Sequence, residues 1–447
     1  MKKILFLFAC LLIFAGCKKS SFEAKFDQDP EIRMGEAIAK VKNTLSSAEN
    51  GWIATTPTAD GGGYSFFMKF DGTENVKMYA DLNDASAKTE YASYYRVKQD
   101  QGVDLVFDTF TYITMLNDPD PSTFGGLLRT GFKSDVDFIY DRSSGDSIVF
   151  IGKRYRQPLK MVKATAAQRA TYEAAGLKTA IDKIKGFFAI NTNPYIDVTL
   201  NGVASRVGVS PNLTNNVLSG KRIDLSVMLA DGTISSGVQK FAFTLLGGEI
   251  LNGGLVWQGI TFVRMAWKDA TTLALYDSTE KEYIIKNSPT PLLPVHLLLG
   301  VKFSSIVVPF ATTYPGWSSD FSARRAAAAA AMLAGPYQLR LDKMTFAFAV
   351  VNKRMTLTTD IYQGANRFVG DFPFTYTKTD AGVFKFTAGT PTGNAGLIVA
   401  NMAPLTTQRL NVDTFTLAYF VNPTTGETLG QFRSIEHPDF TFSGSLL

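Results

Sequence analysis

Cys17 has the best-defined chemistry in the chain. It follows Lys2-Lys3, an apolar run from Ile4 to Phe14, and the small pair Ala15-Gly16. Charged, apolar and small-residue regions in that order make a secretory signal. A cysteine at the cleavage position makes it a lipoprotein signal. The expected chemistry is transfer of diacylglycerol to the Cys17 thiol, with cleavage just before it. Residues 1–16 are then signal peptide, and 17–29 are lipid anchor and polar tether. The apolar run is too short for a spanning helix, which needs about 20 such residues. More than one acyl chain on a single cysteine meets the requirement for stable membrane attachment. Lys18 follows the cysteine; an Asp there would signal inner-membrane retention, so the outer membrane is the expected address.

The remaining chemistry is sparse. The other cysteine, Cys10, falls in the signal, so the mature body offers no disulfide, thiol nucleophile or thiolate metal site. The histidines are His296 and His437, with no HExxH pairing. His296 lies in the apolar run Leu292–Leu299 and reads as a packed histidine; His437 precedes Pro438 in a C-terminal loop. A carboxylate hydrolase needs two acids about 5–10 Å apart. Asp118 and Asp120, in Asn117-Asp-Pro-Asp-Pro121, are close in sequence, and Glu436 adjoins His437. The Asp118/Asp120 loop could also hold Ca²⁺ through oxygen ligands. These are equally the residues that turns favour. Tyr94, Tyr95, Tyr314 and Trp317 fall in or near expected loops, where aromatic faces stack on sugars or grip peptides. Packing is the competing role for each, and Trp257 and Trp267 fall on expected strands. No cofactor motif is present, and the chemistry points to binding rather than catalysis.

These side chains must be held by 447 residues, of which 45% are hydrophobic and 12% aromatic, so large cores are expected. Charged residues are 19% and the net charge is +5. Arg324-Arg325 and Lys153-Arg154 are isolated basic pairs that read as solvated surface, and no block suited to nucleic acid exists. Three helix-prone segments punctuate strand-like sequence. The first is Pro30 to Ser47, with Met34, Ala37, Ile38, Val41 and Leu45 on one face and Asp29 as its expected N-cap. The second runs from Ala166 to Ile184, weakened at Gly176. The third runs from Ser318 to Ala334 through six alanines and closes at Gly335-Pro336. Strand signals follow each. Gly63–Phe70, Asp71-Gly72 and Val76–Ala80 read as a hairpin, with Phe66, Met68 and Phe70 on a core face. Ile223, Leu225, Val227 and Leu229 alternate strictly, which predicts sheets with one buried face.

The expected fold is therefore mainly β within the α+β class. Antiparallel meander sheets, barrel-like or sandwich-like, are each preceded by a helix. The expected units are 30–163, 164–290 and 291–447, with seams near Lys163 and in the proline-rich stretch 288–294.

One combination of motifs is familiar. A lipidated cysteine and tether lead to Ser47-Ala-Glu-Asn-Gly-Trp52 and then to Gly61-Gly-Gly-Tyr-Ser-Phe-Phe-Met-Lys-Phe-Asp-Gly72. Asp135-Val-Asp-Phe-Ile-Tyr140 comes later, ahead of Asp146-Ser-Ile-Val-Phe-Ile-Gly-Lys153. The chain resembles the Bacteroidota lipoproteins of domain of unknown function 4302 across most of its mature length, most sharply over 47–72 and 131–163. The resemblance implies a companion of outer-membrane importer components that handles an oligosaccharide or peptide ligand. It implies no catalytic residues. A docking role on an envelope partner is the alternative, and a carboxylate-dependent hydrolase a further one.

Overall fold

The computed structural model describes residues 29–200, 202–229 and 231–447. The signal and Cys17 lie outside them. The protein is mainly β, built from antiparallel sheets that curl toward or into barrels. It divides into two compact units: 29–60 with 65–175, and 61–64 with 176–447.

The first helix runs Pro30–Ser46 with Pro30 in its first turn. Asp29 stands at the N-cap, but its side chain makes no capping bond; the Asp29 carbonyl accepts from Arg33 N instead. A nine-stranded sheet follows, made of β1 (Trp52–Pro57), β2 (Gly63–Phe70), β3 (Asn75–Ala80), β4 (Tyr91–Tyr94), β5 (Arg96–Gln99), β6 (Val103–Val106), β7 (Asp137–Ser144), β8 (Ser147–Gly152) and β9 (Pro158–Lys163). Its order is β4-β3-β2-β1-β9-β8-β7-β6-β5. The edge strands β4 and β5 are consecutive in sequence, separated by Tyr95 alone. The chain itself therefore crosses the seam, which curls the sheet into a barrel-like form.

Two local expectations change here. Asp71-Gly72 does not make a two-residue turn. The loop has four residues, with Glu74 rather than Gly72 in the left-handed region. The Asp71 carboxylate accepts from Thr73 N and Asn75 N, an Asx-type arrangement that replaces the backbone turn. Nor does β2 bury only one face. Phe66 and Met68 are buried, and so is Phe67, whose ring stacks on Tyr172 at 4.8 Å. Tyr172 comes from the helix Ala166–Glu173, which covers the side of the strand expected to face solvent.

That second helical segment breaks where Gly176 weakens it. Ala166–Glu173 ends, Ala175 adopts positive φ, and Gly176–Ile190 continues as a separate helix. The next sheet comprises β10 (Pro194–Leu200), β11 (Val203–Asn212), β12 (Arg222–Met228), β13 (Ile234–Thr244), β14 (Gly247–Ile250), β15 (Leu255–Trp257), β16 (Ile260–Trp267), β17 (Leu273–Asp277), β18 (Glu282–Ile284) and β19 (Lys286–Asn287). Its order is β18-β17-β16-β14-β13-β12-β11-β10-β19, with β15 on β16. The same device recurs, because the end strands β18 and β19 are consecutive and only Ile285 separates them.

The third sheet closes completely. It is an up-and-down barrel of β20 (Ser305–Val308), β21 (Arg340–Ala349), β22 (Arg354–Gln363), β23 (Asn366–Lys378), β24 (Val383–Ala388), β25 (Thr414–Val421), β26 (Thr428–Ser434) and β27 (Thr441–Leu446), with β27 pairing back to β20. Aromatic rings fill its interior. Phe348 of β21 approaches Phe432 of β26 at 6.3 Å across the barrel, and Phe432 stacks on Phe442 at 4.7 Å. An eight-stranded barrel is just wide enough for side chains to fill it. A ligand on this barrel must therefore sit outside its staves.

Candidate functional site

One apolar concavity on the barrel is made by its Ala-rich helix, Ser319–Ala334. Ser318 caps the helix, its Oγ accepting from Phe321 N at 3.2 Å. Helical periodicity aligns Phe321, Arg325, Ala328 and Met332 on the buried face. Phe321 stacks on Phe442 at 4.5 Å and locks the helix to the barrel. Beside that face, Ala326, Ala329 and Ala330 have nothing beyond Cβ. Their small size leaves a groove of about 320 Å³ against the barrel wall. Phe310, Trp317, Leu333 and Leu341 supply its apolar walls, Arg325 and Arg340 its charge, and Thr312 and Ser322 its hydroxyls.

Arg325 dominates the electrostatics. It is 6% exposed, which overturns the expectation of a solvated pair at 324–325. The physical reason is the helical bearing. Arg324 turns to Asp320, with Nε 2.9 Å from the carboxylate, while Arg325 falls in line with the core positions. Its Nη1 donates to the Ala311 carbonyl at 3.0 Å and its Nη2 to the Asp342 carbonyl at 2.8 Å. Its Nε is buried without a hydrogen-bond partner. The guanidinium lies 5.4 Å from the Trp317 ring centroid. Burial pushes its pKa down, partly opposed by Asp342. Arg340 sits at the rim, half exposed, with Nη2 3.1 Å from Asp342 Oδ2. Its guanidinium lies over Phe310 and Tyr362 at 5.0 and 4.6 Å.

Of the four aromatic candidates, two come together at this place. Tyr314 and Trp317 have ring centroids 5.8 Å apart. Trp317 lines the groove, held by its indole N–H donating to the Ser443 carbonyl at 2.9 Å. Tyr94 and Tyr95 belong to the first unit. Tyr94 is exposed, whereas Tyr95 is buried, edge-on to Phe70 at 4.8 Å and donating to the Asp71 carbonyl. Burial pushes its phenol up to about 12. Asp118 accepts from Asp120 N, and Asp120 accepts from Ser122 N as the cap of the single turn Pro121–Phe124. Composition alone does not separate Arg325 from Arg324 as a basic pair. The spacing of Arg325, four from Phe321 and seven from Met332, was the available signal.

His437 meets a buried partner. Its Nδ1 lies 3.1 Å from both carboxylate oxygens of Asp413. Ser434 Oγ also donates to Asp413, at 2.8 Å. The hydroxyl is thus spent on the carboxylate, whereas a nucleophilic serine would be bonded to the imidazole. His296 is half-buried and packs against Gly382, where a Cβ would overlap its ring.

The motif around residues 135–153 builds a second polar cluster, in the first unit. Gly152 has no side chain, and a Cβ there would collide with the Asp135 carboxylate. That vacancy lets Asp135 accept from Arg154 N at 2.7 Å and Tyr155 N at 3.1 Å. The turn so fixed carries Lys153 to the carboxylates of Asp100, Asp104 and Asp137, with Nζ 3.0 Å from Asp104 and 3.2 Å from Asp137. Oxygens of the three acids gather within 4.8 Å. Burial pushes the Asp104 carboxyl up, and the bond to Asp100 leads the causes that hold the Lys153 ammonium above its usual range. Lys153 is therefore not the solvated surface residue its isolated pair suggests. The ammonium stands among the carboxylates, so the arrangement reads as an internal ion-pair network that ties β6, β7 and the turn after β8.

No curated protein matches the sequence. Among solved structures, the isotype 1 transferrin binding protein B from serogroup B Neisseria meningitidis aligns at 10% identity and a TM-score of 0.13. That alignment covers 87% of this chain and 66% of the other. Caulobacter crescentus pol III beta aligns at 11% identity and a TM-score of 0.13, over 92% and 98% of the two chains. At such TM-scores neither likeness carries an argument. The family model described as domain of unknown function DUF4302 matches residues 23–269. The match takes in the Gly152–Lys153 motif and ends before the closed barrel and its groove. With more than half its length matched, the chain belongs to the DUF4302 family.

Proposed function

We propose that this protein is a lipid-anchored accessory protein of the outer membrane that captures a small ligand for uptake, and that the groove beside Trp317 is its binding site. The observation that carries the reading is the groove itself. It joins apolar walls, an indole face and a buried guanidinium in one concavity. Its volume of about 320 Å³ stands at the small end of the roughly 300–1,000 Å³ typical of ligand pockets. Few polar groups amid apolar lining is the usual composition of such sites. Of the two expected ligand classes, a peptide suits these walls better than an oligosaccharide, whose many hydroxyls would find only Thr312 and Ser322 as neutral polar side chains. The anchor at Cys17 and partnership with importer components complete the proposal.

Two measurements test it. Intrinsic tryptophan fluorescence, titrated with short peptides and with oligosaccharides, should show saturable change with peptides; no saturable response to either would sink the site. Protease added to intact cells should remove the protein, because capture from the medium needs the body outside. Full protection would favour the envelope-docking alternative.

A further inference from the structure

We infer that the groove receives the terminal carboxylate of a peptide ending in an apolar residue, with Arg325 as the charge that pairs with it. This rests on the reading of the groove as a ligand site and narrows it to one chemical class.

Arg325 brings a buried charge to the groove without a carboxylate bonded to it. A buried ion is costly unless paired, and Arg325 stays protonated in any protein setting. Its hydrogen-bond partners are two backbone carbonyls, which are dipoles and not charges. Among the described residues no carboxylate lies within 4.0 Å of its guanidinium. The nearby Asp342 side chain is engaged elsewhere, accepting from Arg340 and from Lys343 N. One donor, Nε, is buried and unused. Arg340 adds a second positive group at the rim of the same groove. Low-dielectric walls focus such a field into the concavity.

The ligand that balances this site carries one anion and an apolar body. A carboxylate matches the planar fork of a guanidinium. Beside it, Ala326, Ala329 and Ala330 leave space for an aliphatic or aromatic side chain, with Phe310 and Leu333 as further apolar contacts. Phe310 is 56% exposed and Leu333 60% exposed, so both gain burial when the groove fills. A neutral sugar would leave the guanidinium uncompensated. The volume suits one or two terminal residues rather than a long chain.

The test uses N-acetyl-Ala-Leu as the free acid, the same dipeptide as its C-terminal amide, and decanoate as an apolar carboxylate that is not a peptide. Each is titrated into the wild-type chain, R325Q and R340Q by calorimetry. The acid should bind, with the amide weaker by about tenfold or more, as loss of a desolvated charge pair demands. Both variants should weaken the acid several-fold more than the amide, and added salt should weaken the acid more than the amide. Equal binding of acid and amide would overturn the carboxylate assignment while leaving the groove a ligand site. Binding of decanoate in preference to the peptide acid would overturn the peptide as occupant. No binding of any probe would remove both readings. Should R325Q fail to fold, R340Q decides: it keeps the buried guanidinium, and unchanged affinity for the acid together with no salt dependence would overturn the inference.

Discussion

Single residues in this protein are assigned by their bearing, not their type. Arg324 and Arg325 are neighbours in sequence, yet one pairs with Asp320 at the surface side and the other is buried under Trp317. Successive helical residues point about 100° apart, so an adjacent pair divides between two environments. Asp360 shows the same dependence on place. It sits on β22 with its side chain 4% exposed, held by Arg367 at 2.7 Å and by Lys343 at 3.6 Å. The bond from Arg367 is the leading cause holding its carboxyl below the usual range. Its folded value thus lies under the unfolded value of about 3.9. Stability from the pair is present above that pH and is lost as pH falls through the folded value. D360N should cost about 1–2 kcal/mol at neutral pH, because Arg367 is half exposed and solvent screens the pair. Urea unfolding at neutral pH and near pH 3 checks this. The gap between wild type and variant should narrow in acid, and a gap independent of pH would refute the assignment.

At the scale of elements, small residues create the groove. The Ala-rich helix forms readily because alanine has the highest helix propensity. Its second consequence is spatial, since alanines beside the packed face leave the groove open. Ala326 is exposed and lines that groove. A326L should fill it, abolish the peptide-induced fluorescence change, and alter stability by no more than about 0.5 kcal/mol, as surface substitutions do. Binding that persists in A326L would place the ligand elsewhere. Gly152 works in the opposite sense. Its missing side chain admits the Asp135 carboxylate, which fixes the turn that delivers Lys153. The sequence signal at residues 135–153 is thus a packing requirement before it is anything else.

For the whole molecule, closure is the recurring solution. An open sheet leaves unpaired edges that invite association with other chains. The first two sheets deal with this by running the chain across the seam through one residue, Tyr95 or Ile285. The third pairs its last strand to its first. Cutting the chain after Phe440 removes β27, so β20 and β26 lose a shared partner and Phe442 leaves the aromatic core. The shortened protein should associate through its exposed edges and lose its cooperative melt, seen by size-exclusion chromatography and circular dichroism. A monomer melting like the full chain would show that closure contributes little.

Alternating apolar residues and turn signals were sufficient to identify antiparallel strands, and three helices were legible from spacing and caps. These are local properties, set within a few residues by backbone sterics and side-chain direction. The membership of DUF4302 was legible for the same reason, in short local motifs. What needed the tertiary structure was everything decided between distant residues. The burial of Phe67 depends on a helix a hundred residues later. The charge balance at Arg325 depends on which groups from 311 and 342 face it, and the groove depends on where Phe310 and Arg340 arrive. Lys153 and its three acids come from three stretches of the chain, at 100–104, 137 and 153. Periodicity gives each side chain a direction along its own element; which other element stands opposite is settled only when the whole chain packs.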